Sequence, residues 1–246
     1  MLPALIRREL LALYTTPLAW LVLAAGQLIL AWLFFAQLEV YQKIQPSLAA
    51  GGALLGLTDL VAAPTLNTAG LLILVAAPLF GLQGIAAERR DGRIALLLSA
   101  PASPLTLAAG KLLGQWLALL PLPALALLTV GSLLDAAPLD LGRLLAAGIG
   151  LSLLALMAAA VALWISGLGS HPGAAAAGAY ALLFLLWLLD TGTNPDAPWQ
   201  WLALTPHLGA ALKGLLRLTD LLYFGGLSAA ALALTTHRLW QLGGGR

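Results

Sequence analysis

The charged side chains that could do chemistry in this chain are concentrated in one stretch, between residues 88 and 111. The segments on either side, 60–87 and 112–134, carry no charged residue. A charged cluster between two long apolar runs marks a point where the chain meets water, and its chemistry is ion pairing and the docking of a partner. Its members are Glu88, Arg89, Arg90, Asp91, Arg93 and Lys111.

The residues after this cluster predict a short surface helix at about 92–100. Gly92 supplies a hinge behind the charges, and Pro101 would end the helix. Apolar residues recur at i, i+3 and i+4 and therefore share one helical face. That face is formed by Ile94, Leu97 and Leu98.

A second polar group lies near the end of the chain. Lys213, Arg217 and Asp220 stand at i, i+4 and i+7, which predicts one helical face that could contact substrate head groups or a periplasmic partner. The alternative is a solvated face with an ion pair between Arg217 and Asp220. His207 is interpreted as a polar interface residue, because no second histidine or carboxylate stands near it at metal-ligand spacing.

Motifs for catalysis are missing from the sequence. Gly110-Lys111 is followed by leucine and has no glycine five residues earlier, so there is no phosphate-binding loop. The sequence also has no Gly-x-Ser-x-Gly, no His-Glu-x-x-His and no cysteine. We therefore expect no catalytic, cofactor or metal residues in this chain.

The composition is that of an all-α polytopic membrane protein. Hydrophobic residues make up 61% of the 246 residues and charged residues 9%, with a mean hydropathy of +0.96. Soluble proteins carry about 25% charged residues. The net charge of +2 is too small to indicate nucleic-acid binding.

We predict one transmembrane domain over 1–246, with an amphipathic interfacial helix at 1–16 and outer loops at 37–67 and 190–219. A signal peptide is the competing interpretation of the start, but the uncharged run from Glu9 to Glu39 is 29 residues long. A signal-peptide core has about 7–15 apolar residues. Six spans are predicted, at about 17–36, 68–87, 105–131, 143–166, 173–189 and 220–237.

Local signals refine these spans. Ser103 followed by Pro104 predicts a helix start, and Asp140 predicts another. Pro121 and Pro123 should kink the third span, because each removes a backbone donor. Only 16 uncharged residues separate Asp220 from His237, so either flanking residues extend the last span or Asp220 faces protein.

The basic residues predict the orientation. Eight of them fall on the side of the central loop and four on the other side. Basic residues accumulate in cytoplasmic loops, so the central loop and both termini are expected in the cytoplasm.

The central stretch resembles the cytoplasmic loop of ABC type-2 transporter permeases. The resemblance lies in Glu88-Arg89-Arg90-x-Gly92-x-Ile94, the leucines 96–98, Pro101, Ser103 and Gly110-Lys111. Leu204-Thr-Pro-His207 with Lys213-Gly214, Arg217, Asp220 and Tyr223-Phe224 is similar to the gliding-motility branch of these permeases. Arg8-Glu9-Leu10 and Thr16-Pro17-Leu-Ala-Trp20 fit that branch as well.

The resemblance implies a function. The chain would be the permease subunit of an ABC exporter in the bacterial inner membrane, surrounded by lipid. A separate ABC ATPase would bind ATP and Mg, and a second copy or a related permease would complete the transporter. The family's coupling helix between spans 2 and 3 would place ATPase contacts at Glu88, Arg89, Arg90, Gly92, Ile94, Leu97 and Leu98.

Two other classes stay open. A secondary transporter or channel would normally carry inverted repeats or charges at mid-membrane. A non-transporting membrane scaffold is the third possibility. The nearly uncharged spans argue against the first of these alternatives.

Overall fold

A computed structural model describes residues 2–51, 56–95, 102–134, 139–191 and 200–243. Within these ranges it contains ten α-helices and no strand. The helices are α1 Leu2–Tyr14, α2 Pro17–Gly51, α3 Ala63–Gly81, α4 Ile85–Arg90, α5 Pro104–Leu119, α6 Pro121–Gly131, α7 Leu141–Leu168, α8 Pro172–Leu188, α9 Leu204–Leu212 and α10 Leu218–Leu242.

Five helical segments of the described chain are long and apolar enough to cross a membrane: Pro17–Pro46, Thr58–Arg90, Pro104–Gly131, Leu141–Leu168 and Leu218–Leu242. The sequence predicted six. The missing one is α8, which is apolar but has only 17 residues. At about 1.5 Å per residue it spans roughly 25 Å, somewhat less than the ~30 Å hydrocarbon core.

Two helices form the centre of the bundle. In both α3 and α7, two thirds of the apolar segment is buried (67%), whereas the corresponding fraction is 28% in α2 and α10. Helix α7 packs against α3, α5, α8, α9 and α10. The more exposed helices α2 and α10 therefore lie on the outside of the bundle.

The local signals in the sequence are confirmed. The Ser103 side chain accepts a hydrogen bond from the Thr106 N–H at 3.1 Å and caps α5. Asp140 accepts one from the Arg143 N–H at 3.0 Å and caps α7. The proline pair ends α5 at Leu119, and α6 continues from residue 121.

The sequence placed residues 37–67 in an outer loop and left open whether this segment is a surface helix or disordered. Helix α2 runs on through this segment to Gly51, and on its surface Lys43 pairs with Glu39 one turn away, at 2.6 Å. A π-helix at Thr58–Ala62 leads directly into α3. Helical residues therefore occupy most of what was expected to be a loop.

Part of the predicted outer loop 190–219 is a buried helix. Leucine and alanine side chains of α9 are buried against α7: Leu204, Leu208, Ala210, Ala211 and Leu212. Helix α9 then ends at Gly214, whose φ of +86° is easily adopted only by glycine. The N–H of Leu215 returns to the carbonyl of Ala210 at 2.9 Å, as in a Schellman motif.

Helix α1 packs along α5 rather than standing apart from the bundle. Gly110 and Gly114 form the contact surface, and a Cβ on either would lie 2.8 Å from Leu5 or 2.6 Å from Glu9. Leu13 of α1 is buried in the core. Because the glycines have no side chain, the two helices can lie close enough for their charged side chains to meet.

Candidate functional site

The predicted coupling segment begins on α4, which is short and mostly buried. Helix α4 ends in a glycine turn: Gly92 has a φ of +71°, and its N–H donates to the Arg89 carbonyl at 3.2 Å. Among the described residues, apart from its neighbours in the chain, none has an atom within 4 Å of the Cβ position of Gly92. Ile94 begins another helical turn, half buried against the core. Leu97 and Leu98 lie outside the described residues.

Glu88 points inward from α4. Its side chain is 7% exposed and pairs with Lys111 Nζ at 2.8 Å and with Arg8 Nη2 at 3.5 Å. From the sequence alone, Glu88 could cap the surface helix or pair locally with Arg89 and Arg90. The structure gives the carboxylate long-range partners instead, because α4 is buried between neighbouring helices.

Lys111 is the centre of a charge cluster that the sequence did not predict. Its ammonium group lies 2.9 Å from Glu9 Oε1 and 2.8 Å from Glu88 Oε1, and its side chain is only 4% exposed. The Lys111 cluster, defined as Arg8, Glu9, Glu88 and Lys111, joins α1, α4 and α5. A signal existed, since a lone lysine in an apolar helix needs a partner.

Arg89 fastens α4 to the end of α7. One guanidinium nitrogen donates to the carbonyls of Gly167 and Gly169, each at 3.1 Å. Arg238 of α10 donates to the Gly167 carbonyl at 3.4 Å. The last carbonyls of a helix have no intrahelical partner and carry partial negative charge, so two cations stabilise this end.

The Ser166 side chain adds a second link between α4 and α7. Its hydroxyl accepts a hydrogen bond from the Ala86 N–H at 2.9 Å, which satisfies a donor in the first turn of α4. A Cβ on Gly84 would lie 2.8 Å from that hydroxyl oxygen. The first turn of α4 is thus held by a hydrogen bond and by close packing as well as by the charged side chains.

The residues at the end of α4 face solvent. Asp91 pairs with Arg90 at 3.1 Å and with Arg93 at 2.6 Å. The hydrogen bond from Arg90, followed by that from Arg93, lowers the pKa of Asp91. Together with Gly92 these residues form an exposed charged turn that follows the buried part of α4.

The predicted outer group is arranged differently from the expectation. Lys213, Arg217 and Asp220 do not share a helical face, because Lys213 ends α9 and Arg217 precedes α10. Asp220 is buried and pairs with His207 Nδ1 at 2.7 Å rather than with Arg217. Asp220 therefore faces protein, one of the two alternatives for the last span.

His207 is held on three sides. Its Nε2 lies 3.1 Å from the Trp201 carbonyl, and its ring stacks on Tyr223 with 4.1 Å between centroids. Tyr223 donates its hydroxyl to the Leu202 carbonyl at 2.7 Å. The sequence pointed to His207 and Asp220 separately, and their pairing across α9 and α10 was missed.

Arg143 completes this end of the bundle. It donates to the last carbonyl of α9, at Leu212, at 2.8 Å and to Asp59 Oδ1 at 2.6 Å. We call the region of Arg143, Asp59, His207 and Asp220 the α9 end, and the region of α4 and the Lys111 cluster the α4 end. Among the described residues, no group of three or more His, Asp or Glu side chains could hold a metal ion.

A comparison with family models assigns the chain. The model described as ABC-2 family transporter protein matches residues 50–231, which include α4, the charged turn and the α9 end. The chain belongs to the ABC-2 transporter family. It is therefore a membrane permease of an ABC transporter, and the resemblance in the sequence is confirmed at this level. A search of curated proteins found no match.

Proposed function

We propose that this permease docks a separate ABC ATPase through residues 88–98 and exports its substrate. Membership of the ABC-2 family gives the general role. The direction of transport and the docking segment are our proposal, as is a place in the gliding-motility branch.

The observation that carries the docking proposal is the contrast between the buried part of α4 and the charged turn at its end. Glu88 and Arg89 are engaged inside the protein, whereas Arg90, Asp91 and Arg93 are exposed. Such an arrangement suits transmission of force. A force that the ATPase applies to the exposed turn would be passed to the neighbouring helices, because Glu88 and Arg89 hold α4 against them. In this arrangement Glu88 and Arg89 support the docking segment, and Ile94, Leu97 and Leu98 provide apolar contacts to the ATPase.

The proposed transporter has two such permeases, either two copies or a related pair, in the bacterial inner membrane. Helix α8 supplies a sixth crossing, since 17 residues is at the lower limit for a span and the 3₁₀ turn Leu189–Thr191 extends it. With six crossings both termini and the α4 end lie in the cytoplasm. The α9 end then faces the periplasm, where a partner protein or substrate would meet it.

Docking is tested by changing the apolar pair Leu97→Ala and Leu98→Ala. Truncating buried anchors typically costs about 2 kcal/mol or more, which corresponds to roughly 30-fold weaker binding. The matched control is Leu215→Ala with Leu216→Ala, another adjacent leucine pair, exposed at the α9 end. Affinity would be measured with the co-expressed ATPase and the permease in nanodiscs.

Retention of full affinity in the Leu97/Leu98 variant would overturn the docking proposal. Equal losses in both leucine pairs would also overturn it, because the effect would then come from general damage. Stimulation of ATP hydrolysis by the permease provides a second readout in the same sample.

Orientation is tested by single cysteines, since the sequence has none of its own. Ala95 and Leu215 are exposed in the structure and lie at opposite ends. In intact cells a membrane-impermeant maleimide should label Leu215→Cys and not Ala95→Cys. The reverse pattern would invert the proposed topology.

A further inference from the structure

The imidazole of His207 is placed between two oxygen atoms. Its Nε2 lies 3.1 Å from the carbonyl oxygen of Trp201, and its Nδ1 lies 2.7 Å from Asp220 Oδ1. A carbonyl oxygen can only accept a hydrogen bond, so Nε2 must carry a proton. A second proton is then needed between Nδ1 and the carboxylate, because two lone pairs at 2.7 Å repel.

A neutral imidazole has only one N–H and cannot make both contacts alone. The second proton therefore resides on Nδ1, giving an imidazolium and a carboxylate, or on Asp220, giving a carboxylic acid that donates to Nδ1. In both forms the pair has no net charge. That suits a buried site, where Asp220 is 6% exposed and its Oδ2 has no hydrogen-bond partner in the described structure.

We propose that His207 and Asp220 form a proton-binding site that fastens α9 and the turn Gln200–Leu202 to α10. Loss of the proton leaves one N–H for two acceptors, so either the Trp201 contact or the Asp220 contact must be given up. Tyr223 holds the same turn through the Leu202 carbonyl and stacks on the imidazole. The pair is thus a clasp that is closed with its proton and loosened without it.

In the described part of the chain no lysine or arginine near Asp220 pairs with it, so the proton is the group that neutralises its charge. On α7, Arg143 is engaged by Asp59 and by the Leu212 carbonyl. On the neighbouring segments Lys213, Arg217 and Asp190 are exposed, and none of them makes an ion pair with Asp220 in the described part of the chain. Tyr223 is the other titratable group against the pair, and its ring stacks on the imidazole.

The proton can be observed directly in the full chain in lipid nanodiscs. The sequence has three histidines, so a spectrum of ¹⁵N-histidine protein is simple, and His207→Gln identifies the His207 signals. At about pH 7.5 an ordinary histidine is mostly neutral, since its pKa is about 6.5. For His207 we expect either two N–H nitrogens or one N–H nitrogen with a protonated Asp220 carboxyl in the ¹³C spectrum. A neutral His207 beside an ionised Asp220 would overturn the proposal.

The clasp is tested by spin labels on two exposed residues, Trp201→Cys in the turn and Leu222→Cys on α10. The distance distribution between them should broaden and lengthen as the pH is raised. Asp220→Asn is the matched control, because the amide N–H can donate to a neutral His207 and no proton needs to bind. Its distances should stay short across the same pH range. Equal broadening in both proteins, or broadening in neither, would contradict a proton-dependent clasp.

Discussion

The two ends of the bundle bury charge in different ways. At the α4 end the buried cation Lys111 is shared by two carboxylates from different helices, and one of them, Glu88, also contacts the more exposed Arg8. At the α9 end each charged group has its own partner: Arg143 pairs with Asp59, and His207 pairs with Asp220. A cation shared between helices and two separate ion pairs should restrict helix movement differently.

At the α4 end no helix can move alone. A shift of α1 or α4 away from α5 would separate Glu9 or Glu88 from the buried Lys111 ammonium group, which is costly. At the α9 end the two ion pairs share no residue: His207–Asp220 joins α9 to α10, and Arg143–Asp59 joins α7 to the π-helix. The difference indicates that the α4 end moves as one body, whereas the α9 end can open in steps.

The largest effect is expected from Lys111→Met, which removes the shared cation and leaves Glu9 and Glu88 buried. Breaking a buried ion pair by removing one partner costs about 3–5 kcal/mol. The matched control is Lys43→Met, whose ion pair with Glu39 is exposed and should contribute far less to stability. The free energy of unfolding in detergent would be measured for both variants.

Neutralising the carboxylates provides the counter-test. Adding Glu9→Gln and Glu88→Gln to Lys111→Met removes the unpaired charges and should recover part of the lost stability. No recovery would mean that shape rather than charge governs this site. Similar losses of unfolding free energy in Lys111→Met and Lys43→Met would mean that the buried Lys111 cluster contributes no more to stability than an exposed ion pair.

The next effect comes from a methyl group placed between helices at either end. Gly114→Ala would bring a Cβ within 2.6 Å of Glu9 Cβ, and Gly150→Ala would bring one within 2.5 Å of Ala211 Cβ. Overpacking of this kind costs about 1–3 kcal/mol. We expect Gly114→Ala to cost more, because displacing α1 also stretches the Glu9–Lys111 ion pair.

Gly173→Ala is the control for this pair, since no atom lies within 4 Å of its Cβ position. It should leave stability unchanged or raise it by about 0.5–1 kcal/mol, because alanine restricts the unfolded chain. Unfolding of the three variants in the same detergent gives the ranking. A larger loss for Gly150→Ala than for Gly114→Ala would contradict the single-body view of the α4 end.

The parts of the fold that the sequence predicted are those determined by neighbours in the chain. The caps at Ser103 and Asp140 and the break at Pro121 each depend on residues within one helical turn. The apolar helices were found for a related reason, since their hydropathy is a property of the segment itself. Such features need no knowledge of the tertiary structure.

The features that were missed depend on contacts between distant segments. Helix α9 lies among prolines and glycines, and it is buried because α7 packs against it. The prediction of one face for Lys213, Arg217 and Asp220 failed at Gly214, which ends the helix with a positive φ. The ion pairs of Lys111 and Asp220 join residues from helices that the sequence cannot place relative to one another.

A smaller effect is expected at the contact between α4 and α7. Arg89→Ala removes both hydrogen bonds to the carbonyls of Gly167 and Gly169 and should cost about 1–2 kcal/mol. Arg90→Ala, on the exposed neighbour, should cost less than about 1 kcal/mol. Amide hydrogen exchange in α4 would show faster exchange for the first variant only. Equal exchange in both would mean that Arg89 does not hold α4.

The smallest effect concerns Asp91, where the charges of the α4 end reach solvent. Arg90, and to a lesser degree Arg93, lower the pKa of this carboxyl. A carboxyl with a lowered pKa in the folded state stabilises its turn at pH values above its ordinary pKa, and the contribution is lost as the pH falls through the lowered value. The ordered turn should therefore loosen only in acid. A ¹³C titration of the Asp91 carboxyl should show a higher pKa in Arg90→Ala than in Arg93→Ala, because the Arg90 hydrogen bond is the larger cause. The opposite order, or no change in either variant, would mean that these ion pairs do not persist in solution and that the exposed turn is not ordered by its own charges.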